Sequence, residues 1–205
     1  MSMERNPYLF ASERFMSIQG EGYWTGMPAW FIRLQGCSVG CSWCDTKHTW
    51  KSGIGQVSVD ELVSEVPRNA AHVVVTGGEP YEQDISHLIT RLGASGKSVQ
   101  VETSGAYETY GRCWITVSPK AGWGVTESAQ RMASEFKQVV SSEEDVRVLK
   151  DAWAGRSDWL YMLQNGRVSL QPVGNDEDLL KLCIELCKSY GFRLSIQTHK
   201  MIGVQ

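Results

Sequence analysis

Arg33 to Trp50 reads R-L-Q-G-C-S-V-G-C-S-W-C-D-T-K-H-T-W, and the rest of the chain is organised around that stretch. Its three cysteines, Cys37, Cys41 and Cys44, are spaced C-x3-C-x2-C. One short loop can therefore bring three thiolates to a single inorganic centre. The count separates the candidates. A structural zinc site takes four protein ligands, whereas a 4Fe-4S cluster held by three thiolates keeps one iron open to an outside ligand. The competing readings are a zinc loop completed by Asp45 or His48, and three unrelated core thiols. Zinc loops usually pair a C-x2-C with a second, distant pair that this sequence lacks, so the cluster is the expectation.

The spacing resembles the signature of the radical S-adenosylmethionine superfamily, in which the open iron is chelated by the amino and carboxylate groups of the cofactor. Length and composition point to one sizeable core. With 205 residues and 42% hydrophobic content, the chain can bury roughly 70% of its unfolded surface, and a single domain over 1–205 is expected. A formal charge of −3 without any run of Lys and Arg leaves no basic footprint for nucleic acid. The opening M-S-M-E-R-N-P-Y-L-F is too polar for a secretory signal, and no stretch approaches a membrane span. A cytoplasmic location is therefore expected, where clustered cysteines bind metal rather than form disulfides. Cys183 and Cys187 share an apolar helix face with Leu179, Leu180 and Ile184, and Cys113 precedes a strand. These three read as core thiols, with a second cluster as the alternative.

Apolar β-branched runs alternate with amphipathic stretches, the pattern of βα units around a mostly parallel sheet. Strands are expected at Arg14–Ile18, Ala29–Leu34, His72–Val75, Ser98–Val101, Trp114–Val117, Phe136–Val140, Arg167–Leu170 and Arg193–Ile196. Helices are expected from a Ser58/Glu61 capping box up to Pro67, from Ile85 to Leu92 stopped by Gly93, and from Glu127 to Ala133. Two more are expected, one capped by Ser141 with Glu144 and running to Ala152, the other from Asp176 to Tyr190 capped by Asn175. The residues just past the strand ends carry the chemistry: T-G-G-E-P (Thr76–Pro80), E-T-S-G (Glu102–Gly105), S-P-K (Ser118–Lys120), Q-P (Gln171–Pro172) and Q-T-H-K (Gln197–Lys200). In parallel α/β folds the carboxyl ends of strands share one face, which holds the active site. These motifs and the cysteine loop are expected to line one cavity.

Each motif has a physical reason to be polar. Gly77 and Gly78 allow backbone amides to approach a cofactor carboxylate or amino group, with Glu79 assisting. Glu102, Ser104, Ser118 and Gln171 suit ribose hydroxyls and the carboxylate, and Lys120 offers a cation. Arg33 can pair bidentately with a substrate carboxylate. Thr46 carries a hard oxygen suited to Mg2+.

Taken together, the segment Ser17–Trp50 with its Q-G-E-G and C-D-T-K-H-T-W, the motifs T-G-G-E-P, E-T-S-G, V-S-P-K and L-Q-P, and the final L-S-I-Q-T-H-K-M-I-G-V-Q resemble the 7-carboxy-7-deazaguanine synthase family over nearly the whole chain. The resemblance implies a modified partial (β/α) barrel, a homodimer, an external electron donor such as a flavodoxin or ferredoxin, and a 6-carboxy-5,6,7,8-tetrahydropterin substrate on the route to 7-deazapurines such as queuosine. It places substrate contacts at Ile18, Gln19, Gly20, Glu21, Arg33, Thr76 and His199 and at the carboxylate of Gln205. Cofactor contacts fall on Trp43, Gly78, Ser118, Pro119, Lys120 and the run Gln171, Pro172, Val173 and Gly174, with Mg2+ at Thr46. The implied chemistry begins with a 5′-deoxyadenosyl radical that takes hydrogen from C6 of the pterin. The ring then contracts, ammonia leaves and the cofactor is regenerated. Spacing identifies no acid–base dyad, so no catalytic acid or base is assigned; Glu21 is the candidate for a purine-like edge contact. A glycyl-radical activase and a non-enzymatic zinc-binding module are the alternatives.

Overall fold

The computed structural model describes residues 7–153, 156–174 and 176–205. Strand β1 (Tyr8–Ile18) pairs antiparallel with β2 (Pro28–Leu34) and with the short edge strand β3 (Gln56–Ser58). From β2 the sheet is parallel throughout, through β4 (His72–Gly77), β5 (Ser98–Thr103), β6 (Trp114–Val117), β7 (Glu135–Val140), β8 (Val168–Pro172) and the two-residue β9 (Arg193–Leu194). The nine strands form one sheet in the order β3-β1-β2-β4-β5-β6-β7-β8-β9. The expected α/β class with a mostly parallel sheet is what the chain adopts. Helices α1 (Val59–Ser64), α2 (Ser86–Ala94), α3 (Glu127–Met132), α4 (Glu144–Trp153), α5 (Trp159–Gln164), α6 (Glu177–Tyr190) and α7 (Thr198–Met201) punctuate it.

Alternation along the strands sets the two faces. One face is apolar and packs on helices: Val73, Val75, Val99 and Val101 join Leu62, Leu88 and Leu92, while Ile115, Val117, Phe136, Val168 and Leu170 join Leu149 and Met162. Burying such side chains contributes about 1.5–3 kcal/mol each. Cys183 sits in the second cluster, with Cys113 and Cys187 packed against it, as core thiols do. The opposite face carries His72, Gln100, Glu102, Thr116, Glu135, Lys137, Ser169 and Gln171, all buried or nearly so. The sheet curls around that polar face. The Gly22 N–H donates to Ser195 Oγ at 2.9 Å and the Thr198 N–H to the Gly20 carbonyl at 3.1 Å, so the segment after β1 meets the segment after β9 across the concave side.

Several boundaries differ from expectation. The Ser58 hydroxyl does cap α1, accepting the Glu61 N–H at 3.1 Å, but that helix ends at Ser64. Gly93 lies inside α2, and it is Gly96, with φ at +79°, that turns the chain. Ser141 does not cap α4 with Glu144. Asp145 folds back instead and accepts from the Ser141 N–H (2.7 Å), the Ser141 hydroxyl (2.8 Å) and the Ser142 N–H (3.0 Å), because its shorter side chain reaches the turn that precedes it. Asn175 lies outside the described residues; Asp176 caps α6, accepting from the Asp178 and Leu179 N–H groups. The strand expected up to Ile196 stops at Leu194.

Candidate active site

The strand ends open onto one cavity of about 430 Å³. From β1 and its exit come Ile18, Gln19, Gly20 and Glu21, and from β2 come Phe31, Arg33 and the cysteine loop with Cys37, Cys41, Trp43, Cys44 and Thr46. The β4 exit gives Thr76, Gly77, Gly78 and Glu79, β5 gives Glu102 and Ser104, and β6 gives Ser118 and Lys120. Gln171, Pro172, Val173 and Gly174 come from β8 and its exit, and His199 and Gln205 from the end of the chain. Of the site residues expected from sequence only Pro119 is not on this wall; its carbonyl accepts from Gln138 Nε2 at 3.3 Å behind it.

The cysteine loop is pinned by backbone. The Gly36 and Cys37 N–H groups donate to the carbonyls of Thr49 (2.7 Å) and Trp50 (3.2 Å), and the Glu79 N–H donates to the Gly36 carbonyl (2.8 Å). Glu82 takes the Ser38 N–H at 2.6 Å and its hydroxyl at 2.8 Å. Gly78 is needed because a Cβ there would stand 1.9 Å from the Gly36 oxygen and 3.1 Å from Cys37 Cβ. The three thiols face the cavity. Among the described residues no three Cys, His, Asp or Glu side chains are drawn in tightly enough for a single metal ion. Three cysteine sulfurs on an open wall, with no fourth protein ligand among them, fit the donor set of a 4Fe-4S cluster with one free iron.

Glu79 is a brace rather than a free ligand. Buried at 2% exposure, it accepts from Thr103 Oγ1 (2.6 Å), the Ser104 N–H (2.8 Å), Ser104 Oγ (2.6 Å) and the Tyr81 N–H (3.2 Å). It thereby ties the end of β4 to the end of β5 and engages the Ser104 hydroxyl. Lys120 donates to the Ser118 carbonyl at 2.7 Å and hydroxyl at 2.5 Å and lies 5.3 Å from the centre of the Trp43 ring. Burial pushes its pKa below the ordinary lysine value. Such an ammonium is readily handed over to an anionic ligand, since it is held only by neutral oxygens.

At the opposite end Arg33 Nε donates to Glu13 Oε2 at 2.5 Å, with its guanidinium 5.6 Å from the Phe15 ring centre. Phe15 stacks on Phe31 at 5.2 Å. Glu13 also accepts from the Gln205 side chain at 3.4 Å, and Ser17 Oγ donates to the Gln205 main-chain oxygen at 2.5 Å. The last residues are thus folded over the β1 end. His199 lies against Gly20, and burial lowers its pKa, opposed in part by the Glu21 charge.

Beneath the cavity lies a buried network that spacing alone did not assign. Lys137 donates to Glu21 Oε2 (2.5 Å) and Glu102 Oε2 (2.9 Å), and Gln197 donates to Glu21 Oε1 (2.7 Å). Gln100 links Glu102 (2.7 Å) to Thr116 (3.1 Å), which donates to Glu135 at 3.1 Å. Burial opposes ionisation of Glu21, yet the adjacent Lys137 ammonium and Gln197 hold its carboxyl down to about 2. Glu135 lacks such a direct partner, and burial with the Glu102 charge pushes it up to about 7. The sequence holds a partial signal: Gln100 with Glu102, and Glu135 with Lys137, sit two apart in their strands, which puts each pair on one face without saying whether that face is buried.

A family model described as a 4Fe-4S single cluster domain matches residues 18–114. The chain is 40% identical over 223 residues to 7-carboxy-7-deazaguanine synthase of Escherichia coli (strain K12), covering 94% of this chain and 97% of that protein. It is 33% identical to the protein of the same name from Buchnera aphidicola subsp. Schizaphis graminum, over 97% of this chain and the whole of that one. The crystal structure of QueE from Escherichia coli matches with a TM-score of 0.83 at 37% identity, covering 96% of this chain and 99% of that chain.

Proposed function

The chain belongs to the 7-carboxy-7-deazaguanine synthase family of radical S-adenosylmethionine enzymes, and from that membership we propose how its own residues divide the work. It is a lyase that converts 6-carboxy-5,6,7,8-tetrahydropterin to 7-carboxy-7-deazaguanine with loss of ammonia. The observation that carries the assignment of roles is the sharing of one cavity by the three thiols, the G-G-E-P backbone, Arg33, Glu21 and His199.

Cys37, Cys41 and Cys44 would hold the cluster, whose open iron, with S-adenosylmethionine bound, supplies the radical chemistry. The Gly78 backbone, Ser118, Lys120 and the Gln171–Gly174 turn are the cofactor's seat, with Lys120 meeting its carboxylate. Trp43, 36% exposed, offers a flat apolar face there. Arg33 takes the pterin carboxylate, exchanging Glu13 for it. Thr76 and His199 flank the ring, and Glu21 accepts from its amino-pyrimidinone edge. Thr46, its hydroxyl 3.5 Å from Cys44 Sγ, would hold Mg2+, which would supply positive charge for the substrate carboxylate. The curled sheet and the last residues shield this volume from water and stray hydrogen donors, as a radical reaction requires of the protein around it.

One continuous sheet supports a single domain over 1–205. We place the protein in the cytoplasm; among the described residues no helix is long and apolar enough to cross a membrane. A flavodoxin or ferredoxin is the electron donor we expect, and a homodimer the assembly, with exposed Met201, Ile202 and Val204 as apolar surface for it. The test is anaerobic turnover of iron-reconstituted protein with S-adenosylmethionine, reductant, Mg2+ and 6-carboxytetrahydropterin, following product by mass. Product lost in a Cys41→Ala variant establishes cluster and substrate together. Cofactor cleavage without product overturns the substrate, and bound zinc with no cleavage overturns the radical chemistry.

A further inference from the structure

Lys137 does something for the site that none of the cavity-lining motifs does. It is 4% exposed, on the concave face of β7, and its ammonium lies between two carboxylates from distant parts of the chain, Glu21 after β1 and Glu102 on β5. All three residues line the cavity. Gln197 holds the other Glu21 oxygen at 2.7 Å, so each oxygen of that carboxylate is fixed by one donor. An ionised carboxylate accepts at about four lone-pair positions. Two remain for a ligand, one on each oxygen, the number that adjacent ring N–H and amino groups would fill.

We propose that Lys137 is a positioning residue for substrate recognition, anchoring Glu21 as an acceptor-only carboxylate that reads the amino-pyrimidinone edge of the pterin. The proposal rests on the substrate reading above. Its logic is electrostatic. Glu21 and Glu102 converge on the same ammonium, and with that charge removed two neighbouring buried carboxylates cannot both stay ionised. One would take a proton, and a protonated Glu21 would present an O–H to the N–H groups it must accept. Lys137 thereby converts a buried acid into a selective acceptor, and a ligand with oxygen in place of the amino group meets two opposed acceptors, a repulsive element of the kind specificity requires.

The test uses the cluster-reconstituted enzyme with S-adenosylmethionine bound. The probes are 6-carboxypterin, which has no hydrogen at C6 to lose, and 6-carboxylumazine, which carries an oxo group where the pterin carries its amino group. Lys137→Met is expected to weaken 6-carboxypterin by about 10–100-fold and to erase the preference over 6-carboxylumazine. Affinity for S-adenosylmethionine should stay within about twofold, and the double variant Lys137→Met/Glu21→Gln should bind no more weakly than Glu21→Gln alone, since both act through one carboxylate. Should Lys137→Met not fold, Lys137→Gln, which keeps a polar amide but removes the ammonium and leaves both carboxylates in place, carries the same expectation. Unchanged discrimination in the variant, or additive losses in the double variant, would overturn the role of Lys137 while leaving the substrate intact. A wild-type enzyme that binds neither probe would overturn the substrate reading and this proposal with it.

Discussion

Gly20 and His199 touch so closely that a Cβ on Gly20 would stand 2.0 Å from Nδ1 and 2.7 Å from Cγ of the imidazole. The contact joins the Q-G-E-G loop after the first strand to the Q-T-H-K segment after the last, next to the Thr198–Gly20 hydrogen bond. Glycine is required at that position by space and not by backbone angle.

A Cβ on Gly20 would also stand 2.7 Å from the His199 backbone nitrogen, so Gly20→Ala should push His199 out of the cavity, ring and backbone together. We expect KM for the pterin to rise about tenfold or more, equivalent to ~1.4 kcal/mol, with iron and sulfide per chain unchanged. Loss of cluster in this variant would show that the clash propagates farther than the substrate end.

Gly78→Ala acts on the other end. Its Cβ meets backbone, the Gly36 oxygen at 1.9 Å, which cannot swing away as a side chain can. Anaerobic reconstitution should recover much less iron and sulfide than wild type. Gly93→Ala is the control: nothing lies within 4 Å of a Cβ there, and within helix α2 alanine should add about 0.5–1 kcal/mol of stability.

Glu135 should make stability fall as pH rises. Its carboxyl is raised from the ordinary value of 4.5 to about 7, so between those values the folded state keeps a proton that the unfolded chain has released. Relative to Glu135→Gln, a permanent mimic of the protonated acid, wild type is expected to lose about 3 kcal/mol at most across that window; the comparison cancels the opposite trend that the lowered pKa values of His72 and His199 give both proteins. Glu21 does not confuse the reading. Its depressed carboxyl contributes stability that is present above 4.5 and lost only as pH falls toward about 2. Urea midpoints measured from pH 5 to 8 decide it, and a constant gap between the two proteins would exclude titration of Glu135.

Removing Gln205 should raise KM for the pterin with little effect on cluster content. Ser17→Ala should do the same more weakly, because it deletes only the hydroxyl that holds the Gln205 main-chain oxygen at 2.5 Å. Equal KM values in all three proteins would take the last residue out of the site.

The polar strand ends were legible because each stands where an apolar run stops: T-G-G-E-P after Val75 and E-T-S-G after Val101 reveal themselves by contrast. The floor of the cavity was not. Glu135 and Lys137 alternate with Phe136, and an alternating strand is equally consistent with an outer face in water; only the curl of the sheet, which Ser195 and Thr198 close, turns that face inward. Glu79 was read as assisting at a cofactor end; that it also ties β4 to β5 was not legible, since no local rule brings Thr103 and Ser104 to it. The short β3 and α5 escaped for want of length, being supported by pairing to β1 and by packing on the second core cluster.

The clasp between Gly20 and Thr198 also sets an order of events during synthesis. The thiols are made early and His199 late, so a chain still leaving the ribosome already carries its cysteines but has no closed chamber around them. A radical source becomes dangerous when it can fire without a target. Here the wall that admits the target is translated well after the cysteine loop.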